Sequence, residues 1–109
     1  MIAKLVSDSP LSPDLQIVLE KLPAVIGRGS EADIRLEDRW LSRIHCRIDC
    51  QDGILVVRDL ESKHGTLVNG QYVQEASLTP GDRLAIGLNR FRVCYQPSPA
   101  ATVPAERGQ

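Results

Sequence analysis

Short apolar runs separated by turn-forming residues dominate the sequence and limit the folds that it can adopt. Gly, Pro, Asn and Asp interrupt these runs roughly every eight to twelve residues, and helical periodicity is hard to find. This pattern is typical of an all-β protein whose strands form an antiparallel sandwich. The predicted strands have the sequences IAKLVS, LQIVLEK, AVIGR, DIRLE, IHCRIDC, GILVVRDL, GTLVNG, QYV, DRLAIG and RFRVCYQ.

Three connections between these strands have characteristic turn sequences. Asn69-Gly70 is the strongest hairpin signal in the chain, because both residues tolerate the positive φ of a two-residue turn. Residues 79–82, TPGD, place Pro and Gly at the centre of a type II turn. Residues 7–14, SDSPLSPD, are predicted to form a loop between the first two strands.

The length and the distribution of apolar residues indicate one globular domain, which we expect to span residues 1–96 of the 109-residue chain. Residues 97–109 contain three prolines and too few apolar side chains to offset the entropy of ordering, so a disordered tail is predicted. No apolar run approaches the roughly 18 residues of a membrane span, and the run after Met1 is too short for a secretory signal. We therefore expect a soluble cytoplasmic protein.

The charge composition argues against nonspecific binding to nucleic acids or membranes. The formal net charge is −1, and the chain contains only four aromatic residues that could stack on bases. Ten of the thirteen basic residues are Arg, whose planar guanidinium suits carboxylate or phosphate. Any anion recognition must therefore be local.

The three cysteines do not suggest a disulfide framework or a zinc site. Cys46, Cys50 and Cys94 are odd in number and lack C-x-x-C spacing, so buried free thiols are expected. In a strand over residues 44–50, Cys46 and Cys50 would lie about 13 Å apart, too far to share a metal ion. Neither a metal nor another cofactor is predicted.

The same strand argues against a catalytic pair. Its alternation would place Ile44, Cys46, Ile48 and Cys50 on the core face, and His45, Arg47 and Asp49 on the other face. His45 and Cys46 would then point apart, and no serine lies in a G-x-S-x-G elbow. Enzymatic activity is not expected.

Three polar loops carry groups that could bind one anion. Arg28 lies between two glycines in GRGS, residues 27–30, where both backbone and guanidinium can approach a ligand. Ser42 and Arg43 precede the strand at 44–50, and ESKHGT, residues 61–66, adds further polar groups. These loops would form a site only if the fold brings them together.

The order of these motifs closely resembles the forkhead-associated (FHA) domain, over roughly residues 24–95. The resemblance is carried by Gly27-Arg28, by Ser42-Arg43-x-His45, and by Asp59-Leu60-x-Ser62-x-His64-Gly65-Thr66-x-Val68-Asn69-Gly70. It implies an FHA-type antiparallel β-sandwich of about eleven strands. It also implies recognition of phosphothreonine in a partner protein, without catalysis.

The resemblance assigns binding roles to five residues. Arg28 would be the main phosphate-binding guanidinium, Ser42 a hydroxyl donor and Arg43 a second basic contact. Lys63 falls near the phosphate, and His64 replaces the Asn that usually bonds the peptide backbone. A neutral His could replace this Asn in part, because one ring nitrogen donates and the other accepts.

Other residues are assigned to support the binding loops by the same comparison. His45 would hydrogen-bond beneath them, and Trp40 is either a rim aromatic or a contact for a flanking peptide side chain. The remaining supporting residues are Gly27, Gly65, Thr66, Asn69 and Gly70.

The leading hypothesis is a signalling module that docks a phosphothreonine-containing partner, such as a Ser/Thr kinase or its substrate. The resemblance further implies a preference for threonine over serine. One alternative is a phosphate-independent interaction or oligomerisation domain, which His64 suggests. The other alternative, a nucleic-acid binder that uses the same arginines, is disfavoured by the charge composition.

Overall fold

The computed structural model describes residues 2–10 and 14–96, and no residue in these ranges is helical. None of these residues therefore belongs to an apolar helix long enough to cross a bilayer. The strands are β1 (Ile2–Ser7), β2 (Gln16–Leu19), β3 (Ala24–Gly27), β4 (Ile34–Arg35), β5 (Cys46–Gln51), β6 (Ile54–Asp59), β7 (Thr66–Val68), β8 (Gln71–Tyr72), β9 (Glu75–Leu78), β10 (Arg83–Ile86) and β11 (Asn89–Gln96).

The strands form two sheets, which confirms the predicted β-sandwich with eleven strands. One sheet has six strands in the order β2-β1-β11-β10-β7-β8, and the other has five in the order β4-β3-β5-β6-β9. All the pairs are antiparallel except β3 with β4, which run parallel. β9 is absent from the strands predicted from the sequence, because only Ala76 and Leu78 are apolar in this short strand.

A single apolar core fills the space between the sheets. Strand alternation sends one side chain of every two inward, as in β10, where Leu84 and Ile86 are fully buried between more exposed neighbours. Phe91 on β11 and Ile26 and Ile48 on the opposite sheet are also completely buried in this core. The core holds the two sheets together and thereby fixes the loops at their ends.

Two predicted turns are present. Asn69 and Gly70 join β7 to β8 with φ values of 52° and 84°, as a two-residue hairpin requires. Gly81 has a φ of 89°, and the Asp82 N–H donates to the Thr79 carbonyl at 3.0 Å, which agrees with the type II turn. Residues 11–13 of the predicted first loop and the predicted tail at 97–109 lie outside the described residues.

The predicted strand over residues 44–50 begins later than expected, and its proposed faces are wrong at its start. β5 begins at Cys46, and the preceding residues form a loop. Ile44 is 38% exposed, whereas His45 is fully buried. Strand alternation does not apply before Cys46, and burial of His45 is favourable because both ring nitrogens have hydrogen-bond partners.

The expectation of buried thiols is correct for one cysteine and wrong for another. Cys46 is fully buried, and burial together with the nearby Asp59 carboxylate raises the pKa of its thiol to about 12. Cys50 is exposed, and Cys94 is half-buried. Cys50 lies near the end of the β5–β6 hairpin, where Gln51 and Ile54 are also exposed, so strand alternation no longer produces burial there.

Candidate functional site

The loops that follow β3 and precede β5 are joined by backbone hydrogen bonds at one end of the sandwich. The Arg28 N–H donates to the Ser42 carbonyl at 2.9 Å, and the Gly29 N–H donates to the Arg43 carbonyl at 3.0 Å. A Cβ at Gly27 would lie only 2.0 Å from the backbone carbonyl oxygen of Arg43. Glycine at this position therefore permits the close approach that places Arg28 beside Ser42.

His45 connects these loops to the one between β6 and β7. Its Nδ1 accepts a hydrogen bond from the Ser42 N–H at 3.2 Å, and its Nε2 lies 2.9 Å from the Gly65 carbonyl oxygen. Since a carbonyl can only accept, this arrangement corresponds to the neutral tautomer with hydrogen on Nε2. The buried ring therefore holds the loop before β5 and the β6–β7 loop in fixed positions relative to each other.

Asp59, at the end of β6, holds the β6–β7 loop through hydrogen bonds. Its carboxylate accepts hydrogen bonds from the Ser62 hydroxyl at 2.5 Å, the Ser62 N–H at 3.1 Å and the Thr66 hydroxyl at 2.7 Å. Ser62 Oγ in turn accepts from the Gly65 N–H at 2.9 Å. The carboxylate is thus the centre of a network that gives the loop one conformation.

The charge state of Asp59 depends on this network. Partial burial alone would raise the pKa of Asp59, but hydrogen bonds from Ser62 and Thr66 outweigh this effect and lower the pKa. Asp59 belongs to the motif that carries the family resemblance, but no structural role was predicted for it from the sequence. Its spacing three residues before Ser62 is a signal for an Asp-centred turn.

The Ser42 hydroxyl connects the loop before β5 to the β6–β7 loop. Its oxygen accepts a hydrogen bond from the Lys63 N–H at 2.9 Å, which leaves the hydroxyl hydrogen available for another acceptor. Arg28 uses Nε to donate to the Leu41 carbonyl at 3.2 Å, so its two terminal nitrogens remain available. These groups are positioned by the protein and can still bind a ligand.

All five residues assigned to ligand contact line one depression of about 550 Å³. These are Arg28, Ser42, Arg43, Lys63 and His64, and Arg39 and Trp40 also line it. Arg39 belongs to none of the motifs identified in the sequence, but the fold places it in the same depression. Four cationic side chains therefore surround one cavity, although they are dispersed in the sequence.

The four cations differ in their partners. Arg43 forms an ion pair with Glu31 at 3.2 Å, and both side chains are more than half exposed. Arg28, Arg39 and Lys63 have no acidic partner within residues 2–10 and 14–96. An exposed ion pair contributes little free energy, so an incoming anion can compete with Glu31 for Arg43.

One wall of the depression is aromatic. The rings of Trp40 and His64 have centroids 4.4 Å apart and planes inclined at 56°, and both side chains are exposed. His64 replaces the expected Asn and lies against Trp40 at the edge of the cationic depression. Trp40 thus lines the edge of the depression and is 44% exposed, which fits both a rim aromatic and a contact for a flanking peptide side chain.

Asp38 fixes the turn that presents Trp40 and was not identified from the sequence. It is 6% exposed and accepts hydrogen bonds from the Trp40 N–H at 2.9 Å, the Leu88 N–H at 2.7 Å and the Asn89 side-chain amide at 2.8 Å. The partners at residues 88 and 89 are about fifty residues away in sequence, which no local pattern reveals.

The other supporting residues lie at two places. Gly65 has a φ of 87°, and a Cβ there would lie 2.6 Å from the Tyr72 ring. Thr66 is fully buried on Asp59. Asn69 instead connects the β7–β8 turn to β10, because its side chain donates to Asp82 at 3.2 Å and accepts from the Arg83 N–H at 3.0 Å. Asn69 and Gly70 are therefore structural residues that do not line the depression.

Comparison with known proteins identifies the fold. The family model of the FHA domain matches residues 24–87, which include the loops described above. The chain belongs to the FHA domain family.

Curated relatives of this FHA chain include regulators. It is 41% identical over 63 residues to FHA domain-containing protein FhaA of Mycobacterium tuberculosis, covering 58% of this chain and 12% of that protein. It is 35% identical over 86 residues to the oxoglutarate dehydrogenase inhibitor of Corynebacterium diphtheriae, covering 79% of this chain and 59% of that protein. The chain thus spans less than two thirds of the length of either relative.

Solved FHA domains have the same architecture. A domain from a study of phosphothreonine-dependent FHA interactions has a TM-score of 0.79 and 32% identity, covering 89% of this chain and 99% of that chain. The FhaA FHA domain in complex with an intracellular protein domain has a TM-score of 0.75 and 33% identity, covering 84% and 98%. EmbR of Mycobacterium tuberculosis, in complex with a low-affinity phosphopeptide, has a TM-score of 0.78 and 26% identity, covering 85% and 24%.

Proposed function

We propose that this FHA domain is a phosphothreonine-dependent interaction module and that the depression around Arg28 and Ser42 binds the phosphate. The observation that carries the proposal is the convergence of Arg28, Ser42, Arg43, Lys63 and His64 from three separate loops on one cavity. The relatives solved with a protein domain and with a phosphopeptide support the same activity. The proposed role is recognition, with no reaction catalysed.

The available groups match the chemistry of a phosphate ester. Phosphothreonine carries about −1.5 to −2 charges at pH 7 and three strong acceptor oxygens. In this proposal the terminal nitrogens of Arg28, the Ser42 hydroxyl and the Lys63 ammonium donate to these oxygens, and Arg43 joins them when it leaves Glu31. Arginine can bind two of the oxygens at once, whereas the lysine ammonium acts as a point charge.

The expected affinity is moderate. Charge-assisted hydrogen bonds contribute about 1.5 to 3 kcal/mol each, and a micromolar complex requires about 8 kcal/mol after ordering costs. Three or four such bonds together contribute about 5 to 12 kcal/mol, which approaches the micromolar value before ordering costs are subtracted. The network below the loops reduces the ordering cost, because it already holds the binding groups in place.

His64 is proposed to contact the partner's backbone in place of the usual Asn. Its exposed imidazole lies beside Lys63 at the edge of the depression. A neutral ring offers one donor and one acceptor in a single plane, compared with the two donors and one acceptor oxygen of an amide. The backbone contact would therefore be retained in part.

The partner is proposed to be a phosphothreonine-containing protein in the cytoplasm, such as a Ser/Thr kinase or its substrate. Neither a nucleic acid nor a membrane is proposed as a ligand of the depression. Residues 1–96 are proposed to act as the interacting unit, with residues 97–109 as a tail or linker.

Peptide titration tests this function. An oriented phosphothreonine peptide library would first identify a ligand, whose affinity is then measured beside its phosphoserine and unphosphorylated forms. We expect the order phosphothreonine, phosphoserine and then no measurable binding, because the serine form lacks the methyl group and the unmodified form lacks the charge.

Two variants complete this experiment. Arg28→Ala should abolish most of the binding, whereas Arg58→Ala removes an exposed arginine from outside the depression and should leave it unchanged. Equal binding of the phosphorylated and unphosphorylated peptides would contradict the proposal and favour a phosphate-independent interaction. Equal binding of phosphoserine and phosphothreonine would overturn only the preference for threonine.

A further inference from the structure

The outer face of the six-stranded sheet carries an unbalanced positive charge. The six strands of this sheet contain Lys4, Arg83, Arg90 and Arg92 but no Asp or Glu. The strands of the five-stranded sheet balance three basic residues with three acidic ones: Arg35, Arg47, Arg58, Asp49, Asp59 and Glu75. The strands of the six-stranded sheet therefore carry four positive charges without a carboxylate, although the chain as a whole has a formal charge of −1.

The strand register brings the arginines of this sheet together. Arg83 on β10 lies directly opposite Arg92 on β11, and both alternate with buried residues, so their side chains point outward. Like charges that face each other across a strand pair are destabilising. Both arginines approach the same oxygen of Asp8, at 3.9 and 3.8 Å, so one carboxylate serves two guanidinium groups.

The positive charge of Arg90 is balanced even less than the charges of Arg83 and Arg92. Its side chain is exposed and forms no hydrogen bond or ion pair with any residue of the described part of the chain, 2–10 and 14–96. Together, Lys4, Arg83, Arg90 and Arg92 with Asp8 leave this surface, which we call the basic face, with a net charge of +3. The fold therefore maintains a repulsive cluster that an external anion would relieve.

A groove crosses the basic face. It has a volume of about 740 Å³, and its charged lining residues are Arg83, Arg90 and Asp8, with a net charge of +1. Its floor includes apolar side chains, because Ala85 lies opposite Arg90 on one neighbouring strand and opposite Leu67 on the other. The groove shares no lining residue with the depression around Arg28.

We propose that this groove is a second binding site, which docks an acidic, partly apolar segment of a partner protein. The carboxylates of such a segment would pair with Arg83 and Arg90 in the groove and with Arg92 beside it on the basic face, and its apolar side chains would pack on Leu67 and Ala85. Charge complementarity selects an acidic partner, and the apolar floor selects a polypeptide over a nucleic acid. The site does not require phosphorylation, so it is independent of the function proposed for the depression.

Fluorescence anisotropy with a labelled acidic peptide of Asp, Glu and Leu tests this site. We expect binding that weakens with salt and that falls by about fivefold in Arg90→Glu and in Arg83→Glu, because each variant replaces an attractive charge with a repulsive one. Lys21→Glu makes the same change of charge on an exposed residue outside this sheet and should have little effect. Thermal melting of each variant identifies any loss of folding.

The outcomes separate this proposal from the one for the depression. Arg28→Ala should leave binding of the acidic peptide unchanged, whereas Arg90→Glu should leave binding of a short phosphothreonine peptide unchanged. Loss of acidic-peptide binding in Arg28→Ala alone would assign the peptide to the depression and overturn the second site. The proposal would also be overturned by no binding at about millimolar peptide, or by tighter binding of a random oligonucleotide that depends on Arg90.

Discussion

The end of the molecule that carries the depression around Arg28 consists of two layers with opposite properties. The upper layer contains exposed groups with free hydrogen-bonding capacity, of which Arg28 and Lys63 are the clearest examples. The lower layer contains polar groups that are buried or hydrogen-bonded from several sides, such as His45, Asp59 and Thr66. The difference indicates that ligand binding and loop stability depend on separate residues within one site.

The physical reason is the different cost of removing each kind of group. Truncation of an exposed side chain away from special structural features usually changes stability by less than about 0.5 kcal/mol. Removal of a buried acceptor leaves its donors unsatisfied and costs about 1 to 3 kcal/mol or more. Substitutions in the two layers should therefore affect different measurements.

The largest expected effect is the loss of the acceptor in the lower layer. Asp59→Ala would leave the Ser62 and Thr66 donors without their partner, and we expect it to lower the free energy of unfolding by about 3 kcal/mol. Chemical denaturation measures this change. Asp49→Ala is a matched control, because within residues 2–10 and 14–96 that carboxylate accepts only from the N–H of the adjacent Cys50. Equal stability of both variants would contradict the distinction between the layers.

The next largest effect is the reverse case in the upper layer. Arg28→Ala should weaken phosphopeptide binding by about 2 to 3 kcal/mol and change stability by less than about 0.5 kcal/mol. Arg28→Lys keeps the charge but lacks the planar fork, so an intermediate affinity is expected. Calorimetric titration and thermal melting of the same samples provide both values. A large loss of stability in Arg28→Ala would show that the two layers are not separate.

A smaller effect concerns the stability of the folded chain at low pH. The pKa values of Asp59 and Asp82 are lowered in the folded protein, since hydrogen bonds outweigh the effect of burial at both residues. Their contribution to stability is therefore complete above the unfolded pKa of about 3.9 and is lost as the pH falls through the lower folded values. Denaturation between about pH 5 and pH 2 should show a shallower decline in Asp59→Asn than in the unmodified chain. Parallel curves would contradict this assignment.

The smallest effect tests the competition between Glu31 and the phosphate for Arg43. Glu31→Gln removes the ion pair and should increase phosphopeptide affinity by about twofold, because Arg43 no longer has to leave a carboxylate before it binds the phosphate. The variant Glu37→Gln, which removes an exposed carboxylate paired with Arg35, is the control. Weaker binding in Glu31→Gln would indicate that Glu31 positions Arg43 for the ligand.

The sequence predicts the strands and turns of this molecule better than the contacts between distant segments. Strand periodicity and turn chemistry, such as Asn69-Gly70, are local properties and can be recognised without tertiary contacts. β9 was missed because its alternation is short and weak. Cys50 was misplaced because its exposure depends on where the hairpin leaves the sandwich, which the strand pattern does not encode.

The candidate site shows the same division. The motifs identify Arg28, Ser42 and His64 as site residues, because the order of the motifs matches the family pattern. The burial of His45 between two loops and the anchoring of the preceding turn by Asp38 depend on contacts between distant segments. Such contacts arise only once the sheets are packed, so they could not be read from spacing along the chain.

The central claim is that the depression binds phosphate through the upper layer, and the most direct measurement is an NMR titration of the isotope-labelled chain. With a phosphothreonine peptide, we expect the largest backbone amide shifts at Arg28, Ser42, Lys63 and His64, and small shifts with the unphosphorylated peptide. Shifts of equal size with both peptides, or shifts confined to residues outside the depression, would contradict the account.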